Sequence, residues 1–376
     1  MTAADRTLAL LERQVGRSLD EVETPVAVVD LDRFERNLAR LQTYADGHGI
    51  ALWPHTKTHK SLELARRQLE HGAAGLTIAK SGEAEVMAEA GGSRILSHYP
   101  PLGPEKSARL AQVAANGCEL TVALDGPGPA EDLSAALVAC GASAEILIEV
   151  DVGLGRTGVR STAEAIDLAR RFDSLSSLSV TGISCYPGHC RGPELVQKLA
   201  AVDARLRELR DALLAAGVRC ERISGGSTPT RYLTHTTCVS ELRSGTYALL
   251  DRKEAASEPD GGLDACALWV VVGVVSARDD GNVIIDAGSK TLTSDPHPDG
   301  GHGAVIGMPA ARLHSLNEEH GYLDASDEPA PPRFGDHLRI VPNHACGCVN
   351  LHEGLLGVRN DVVERVLRVD ARGLVR

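Results

Sequence analysis

From about residue 51 the chain alternates short apolar runs with longer segments in which apolar residues recur at helical spacing. This is the pattern expected of repeated βα units. Eight runs read as strands: ALWPH, GLTIA, RILSHY, ELTVAL, EILIEV, VTGISCY, CERISG and ELRSGTYAL, near residues 51, 75, 94, 119, 145, 179, 220 and 241. Eight parallel strands are what a closed barrel requires. Among the intervening segments, Leu195, Leu199, Val202, Leu206, Leu209 and Leu213 recur at intervals of four and three. Such a stripe predicts a helix packed on the barrel's outside. Earlier, the apolar run PVAVVD leads into Phe34, Leu38 and Leu41, in register for a preceding helix.

After residue 251 the texture changes. The polar stretch EAASEPDGG gives way to ALWVVVGVVSA, NVIIDAGS and HLRIVPNHA, separated by glycine, proline and aspartate with no long helical pattern. These runs predict antiparallel strands. The expected fold is therefore a TIM-type α/β barrel over residues 25–254, followed by a mainly β domain over 255–376 that residues 1–24 join. Two domains also suit a chain of 376 residues.

Composition narrows the partners. The formal charge is −12 and the acidic residues are scattered, so no basic stripe exists to neutralise a phosphate backbone. Nucleic acid is excluded as a partner on that reading. No apolar run approaches the length needed to span a bilayer, so no membrane is expected. The first residues, MTAADRTLALLERQVGRSLDE, interleave charge with leucine and lack a secretory pattern, which predicts a cytoplasmic protein. Nine irregularly spaced cysteines fit small buried apolar residues better than a disulfide framework.

In parallel barrels the functional groups gather at the carboxyl ends of strands, and the first candidate strand ends in PHTKTHK. Lys57 sits there, and a lysine among strand ends can lose its proton and condense with an aldehyde. On spacing alone the favoured reading is a surface lysine extending from a loop. The last two strand ends change the balance: SGGSTPT and RSGTY are glycine- and hydroxyl-rich turns at the usual place for a phosphate. Arg156, after the fifth strand, could reach an anionic oxygen, and Tyr186 and His189 follow the sixth; packing roles remain open for each. In VPNHACGCVN, His344 and Cys346 are two apart, so on a strand they would face one side and could hold a borderline metal. Cys348, on the same parity, reads as packing.

The segments TPVAVVDLD, PHTKTHK, GEAEVMAEAG, EVDVGLGRTGV, YPGHC, SGGSTPT, RSGTY, DAGSK and VPNHACGCVNLH, across roughly residues 24–355, resemble the D-threonine aldolase and D-serine dehydratase family. That family belongs to the alanine racemase-like, fold-type III pyridoxal 5'-phosphate (PLP) enzymes. The resemblance implies a barrel, a β domain and a homodimer whose active site is completed by the partner subunit. It implies that Lys57, and not Lys60, carries PLP as a Schiff base. Gly225, Gly226, Ser227, Gly245 and Tyr247 would hold the phosphate, Arg156 and Tyr186 would line the cofactor, and His344 and Cys346 would bind zinc or manganese.

The implied activity is a PLP- and divalent-metal-dependent lyase on D-3-hydroxy-α-amino acids, foremost a D-threonine aldolase yielding glycine and an aldehyde. A dehydratase of D-serine or D-3-hydroxyaspartate, giving a 2-oxo acid and ammonia, is the alternative, because His-X-Cys is familiar in the dehydratases. A non-catalytic PLP carrier belongs to another class, but such carriers usually lack the second domain. An alanine racemase would be expected to place a tyrosine where this chain has HAC.

Overall fold

In the computed structural model, which describes residues 2–259 and 261–376, eight parallel strands form the barrel sheet. They are β2 (Ala51–Leu52), β3 (Leu76–Ile78), β4 (Arg94–Ser97), β5 (Glu119–Leu124), β6 (Ala144–Val150), β7 (Leu178–Cys185), β8 (Arg222–Gly225) and β9 (Glu241–Leu242). Their order is β2-β9-β8-β7-β6-β5-β4-β3. A parallel bridge between His55 and Thr77 joins the two ends of that order. Each strand coincides with one of the eight apolar runs. Parallel strands covered on both faces read as continuous apolar stretches, which makes them easy to see in a sequence. Ile78, Val122, Ile146, Ile148 and Ile183 are fully buried. The predicted outer helix spans Leu195–Ala215, and Leu199, Val202, Leu206, Leu209 and Leu213 are its buried residues. Burying each such side chain contributes about 1.5–3 kcal/mol.

The second sheet contains β1 (Val26–Asp30), β10 (Leu268–Ala277), β11 (Asn282–Ile285), β12 (Gly303–Val305), β13 (Arg312–Leu316), β14 (Gly321–Asp324), β15 (His337–Pro342), β16 (Gly354–Arg359) and β17 (Val362–Arg368). Its main path is β13-β14-β11-β10-β1-β16-β17, and β15 pairs with β10 and β12. All pairings are antiparallel except that of β1 with β16. Strand β10 pairs with β1, β11 and β15 and is buried from Leu268 to Val274, which accounts for its unbroken apolar run.

The chain divides into two compact units: Met1–Leu38 with Thr58–Leu64 and Thr246–Arg372, and Ala39–Lys57 with Ala65–Gly245 and Gly373–Arg376. A boundary at residue 25 would leave Val26–Asp30 with the barrel. That strand instead hydrogen-bonds into the antiparallel sheet, in register with Val271–Leu268 on one side and Leu356–Val358 on the other. Asp260, within the polar connection EAASEPDGG, lies outside the described residues. All nine cysteines are free thiols. Among the described residues, no helix is long and apolar enough to cross a membrane.

Candidate active site

Lys57 lies in a 3-10 turn, Thr56–Thr58, directly after the first barrel strand. Its side chain is exposed, whereas Lys60 is buried. Lys60 adopts a φ of 51° and its carbonyl accepts the Ala371 N–H at 2.9 Å, so it belongs to a tight structural turn. The Lys57 ammonium is 5.9 Å from the centre of the Tyr186 ring. The Arg156 guanidinium packs over the same ring at 4.8 Å. The barrel unit therefore gathers Lys57, Arg156 and Tyr186 around one aromatic face, from the ends of three strands. Gly188 allows this: a Cβ there would sit 2.4 Å from a Tyr186 ring carbon.

The two glycine-rich turns leave adjacent strands, because Ser224 and Gly225 of β8 pair with Glu241 and Leu242 of β9. Gly225 closes β8, and Gly226 follows with a φ of 80°. A Cβ at Gly226 would lie 2.4 Å from Leu242, so the turn needs glycine for both space and conformation. Thr230 Oγ1 accepts the Ser227 N–H at 3.0 Å, which curls the segment back on itself. The Thr228 and Ser244 hydroxyls bond at 2.9 Å and tie the first turn to the one containing Gly245. Tyr247 is buried in the following 3-10 turn, Thr246–Ala248. A hydroxyl-bound, glycine-lined pair of turns is a suitable cradle for a phosphate.

Beneath these loops lies a polar layer that the motifs did not reveal. Strand register sets Glu149 beside Ser184 and Ser184 beside Ser224, so their side chains occupy one level of the barrel. Arg243, just past β9, donates to Ser224 Oγ at 2.6 Å and to the Cys185 carbonyl at 2.6 Å, and its guanidinium lies 2.8 Å from His98 Nε2. His98 Nε2 is also 2.9 Å from Glu149 Oε2 and 3.0 Å from Ser184 Oγ. Burial and then the Arg243 charge hold His98 below the ordinary histidine range. Burial opposes ionisation of Glu149, but His98 and Arg243 override it and hold that carboxyl below its usual range. With a guanidinium fixed in place, the consistent state is carboxylate, guanidinium and neutral imidazole. His55, buried near this layer's charges, is held well below the usual range by burial first and by Lys57 next. Its Nδ1 is buried without a hydrogen-bond partner.

In the other unit, the reading of VPNHACGCVN as a strand is corrected. Strand β15 ends at Pro342, and Ala345–Val349 is a short helix with His344 as its extended N-cap residue. Residues two apart do not share a helix face. His344 and Cys346 nevertheless meet, because the cap residue lies outside the helical turn: the Cys346 thiol and then Asp295 push the His344 imidazole up to about 9. Asp295 bonds directly to His344 Nδ1. Cys346 Sγ lies 3.3 Å from Thr58 Oγ1 and 3.9 Å from Thr246 Oγ1. The turn is held from below by Asp251, which accepts the Ala345 N–H at 2.8 Å and the Glu254 N–H at 2.9 Å. Burial pushes the Asp251 carboxyl up to about 6, against those amides.

Cys348 faces elsewhere. It is fully buried, its thiol meets the Thr291 carbonyl at 3.3 Å, and burial pushes it up to about 12. Among the described residues, no group of three or more His, Cys, Asp or Glu side chains has metal-ligand geometry. The imidazole and thiol of His344 and Cys346 are a donor set suited to a borderline divalent ion, with Asp295 fixing the ring through its other nitrogen. Asp295, Asp251, Glu149, His98 and Arg243 were not singled out as individual site residues by sequence reasoning. The polar run TSDPHPDGG around Asp295 was the available signal for that one; the others have partners too distant in sequence to betray them.

Comparison with known proteins identifies the family. Residues 29–253 match the family model "Alanine racemase, N-terminal domain", and residues 267–358 match "Putative serine dehydratase domain". The chain is 36% identical to D-threonine aldolase of Arthrobacter sp over 369 residues, covering 96% of both chains. The crystal structure of D-threonine aldolase from Filomicrobium marinum superposes with a TM-score of 0.89 at 32% identity, covering 96% of this chain and 99% of that one. A cysteine-to-alanine mutant of a D-threo-3-hydroxyaspartate dehydratase, in the metal-free form, superposes with a TM-score of 0.82 at 30% identity, covering 93% and 98%. The chain belongs to the alanine racemase-like family that contains the D-threonine aldolases and the D-serine and D-3-hydroxyaspartate dehydratases.

Proposed function

We propose that this chain is a PLP- and divalent-metal-dependent lyase acting on D-3-hydroxy-α-amino acids, and that it is a D-threonine aldolase. The observation that carries the reading is the setting of Lys57: a strand-end lysine 5.9 Å from the Tyr186 ring, in a chain alike end to end to a D-threonine aldolase. Lys57 would hold the cofactor through its ε-amine, and Tyr186 and Arg156, which gather beside Lys57, would line it. Gly225, Gly226, Ser227, Gly245 and Tyr247 hold the phosphate. His344 and Cys346 hold a divalent ion, zinc or manganese, and Asp295 fixes the imidazole. The metal-free mutant of the dehydratase relative, lacking a cysteine, supports a cysteine ligand here.

When bound, PLP supplies an electron sink for charge developing at Cα and the ion supplies a Lewis acid for the β-hydroxyl. The protein's contribution is placement and protonation. Arg156, beside Tyr186, offers a fixed cation to a carboxylate or phenolate oxygen. His55, held neutral, places no second cation beside Lys57. Transfer of the hydroxyl proton to a base, cleavage of the Cα–Cβ bond and protonation at Cα together give glycine and an aldehyde.

Cys346 supports a second reading. If Lys57 removes the α-proton and the β-hydroxyl leaves as water, the enamine formed from D-serine or D-3-hydroxyaspartate tautomerises and is hydrolysed to a 2-oxo acid and ammonia. Products formed from D-threonine, D-serine and D-3-hydroxyaspartate distinguish the two. Glycine and acetaldehyde from D-threonine are expected; 2-oxobutanoate and ammonia would establish the dehydratase instead. We further infer a cytoplasmic homodimer in which each active site is completed by the partner subunit, without nucleic acid or membrane as a partner; sedimentation of the holoenzyme tests the dimer.

A further inference from the structure

Asp295, whose carboxylate meets His344 Nδ1, reaches that ring from a loop, residues 293–302, between the helix Ser289–Leu292 and β12. At the loop's start, Thr293 has a φ of 83° and a ψ of 153°, a backbone that β-branched residues rarely adopt. Such a conformation persists where the surroundings over-determine it. At the loop's far end, the Gly300 N–H donates to the His297 carbonyl at 2.9 Å and the His297 N–H to the Gly301 carbonyl at 3.3 Å, closing a tight turn.

Asn343 joins the two ends. Its side chain is fully buried. Nδ2 donates to the Asp295 carbonyl at 2.9 Å and to the Gly301 carbonyl at 2.8 Å. Oδ1 accepts from an Arg252 guanidinium nitrogen at 3.4 Å, and that same nitrogen donates to the Gly300 carbonyl at 2.8 Å. Carbonyls only accept and a guanidinium only donates, so these partners fix which way the amide faces. Both of its polar atoms are committed to the loop and its anchor.

Two neighbouring residues therefore grip Asp295 from both sides. Asn343 holds its main chain, and His344 receives its carboxylate. A carboxylate only accepts, so in an imidazole that binds an ion the proton lies on Nδ1 and Nε2 is left for the ion. The helix after His344 fits against the start of the loop, where a Cβ at Gly347 would lie 2.8 Å from Thr293 Oγ1. We propose, on the reading of His344 and Cys346 as ligands of a divalent ion, that Asn343 is a positioning residue for that site. By holding the loop at Asp295 and Gly301 it delivers the Asp295 carboxylate to His344 Nδ1 and so aims Nε2 at the ion. It acts through Asp295 and not by touching ion or substrate.

Zn(II) affinity of the PLP-loaded protein, read by competition with a chelating dye, tests this in a double-mutant cycle of Asn343→Ala and Asp295→Ala. Asn343→Ala is expected to weaken Zn(II) binding about 10-fold. In the Asp295→Ala background the same change should weaken it less than about 2-fold, because the group it acts through is gone. A merely structural role would lower the unfolding midpoint without moving Zn(II) affinity, or would weaken binding equally in both backgrounds; either result would overturn the positioning role. Should Asn343→Ala not fold, Arg252→Ala carries the same cycle at a half-buried position, with a smaller loss that must again vanish beside Asp295→Ala. Equal Zn(II) affinity in wild type and His344→Ala would overturn the ion site and the role of Asn343 together. A His344-dependent affinity that Asn343→Ala leaves unchanged would overturn the role of Asn343 alone.

Discussion

The carboxyl end of the barrel and the His344 turn of the antiparallel unit both collect ionisable side chains, in opposite manners. In the barrel, Glu149, His98 and Arg243 are buried or nearly so, and every charge meets a partner. At the turn, His344 and Cys346 are only half-buried and meet each other, with a carboxylate on the imidazole and a hydroxyl beside the thiol. The first arrangement is a brace: it fixes strand ends and offers little to a ligand. The second presents donors. Burial with complete pairing marks support, whereas partial exposure with oriented partners marks donors presented to a ligand.

Lysines 57 and 60 repeat the contrast within four residues, one exposed beside Tyr186 and the other buried in a turn. Replacing Lys57 with Ala should lower kcat by at least about 10³-fold while leaving the unfolding midpoint nearly unchanged. Activity retained in that variant would break the distinction between the two lysines. In the brace, Glu149→Ala leaves the Arg243 guanidinium buried beside a neutral imidazole, and should cost about 3–5 kcal/mol in urea unfolding. A loss below about 1 kcal/mol would mean the layer is not the closed network its distances describe.

Asp251 supplies a pH test beneath the turn. Its folded carboxyl, pushed up to about 6, retains a proton that the unfolded chain releases near 3.9. The folded state therefore binds more protons between those values, and this residue's contribution to stability falls as pH rises from about 4 to about 6, then levels. The difference between wild type and Asp251→Asn should change by up to about 3 kcal/mol across that window. A difference that is flat with pH would show the carboxyl to be ionised throughout. Smaller again, Asp295→Asn should weaken divalent-metal affinity about 10–100-fold, read by competition with a chelating dye.

How much of this could be read from the sequence depended on the range of the interaction. The eight barrel strands were legible because burial on both faces writes itself locally as an apolar run. Val26–Asp30 was equally visible as a run, but nothing in PVAVVD states that its neighbours are residues 268–271 and 356–358. The turn at His344 misled because alternating chemistry in HACGC suits strand parity, whereas the chain after Pro342 enters a helix that Asp251 caps from 94 positions away. His98 and Arg243 meet across 145 positions, beyond any local pattern. Lys57 and the SGGSTPT turn stood out because barrel topology assigns meaning to strand ends.

We propose that cleavage of D-threonine by this chain requires both PLP at Lys57 and an ion held by His344 and Cys346. The rate of glycine formation from D-threonine by PLP-loaded protein, before chelation, after chelation and after return of Zn(II) or Mn(II), tests it most directly. Loss on chelation and recovery with metal are expected in wild type, with no recovery in Cys346→Ala. Undiminished glycine formation in the chelated enzyme would contradict it.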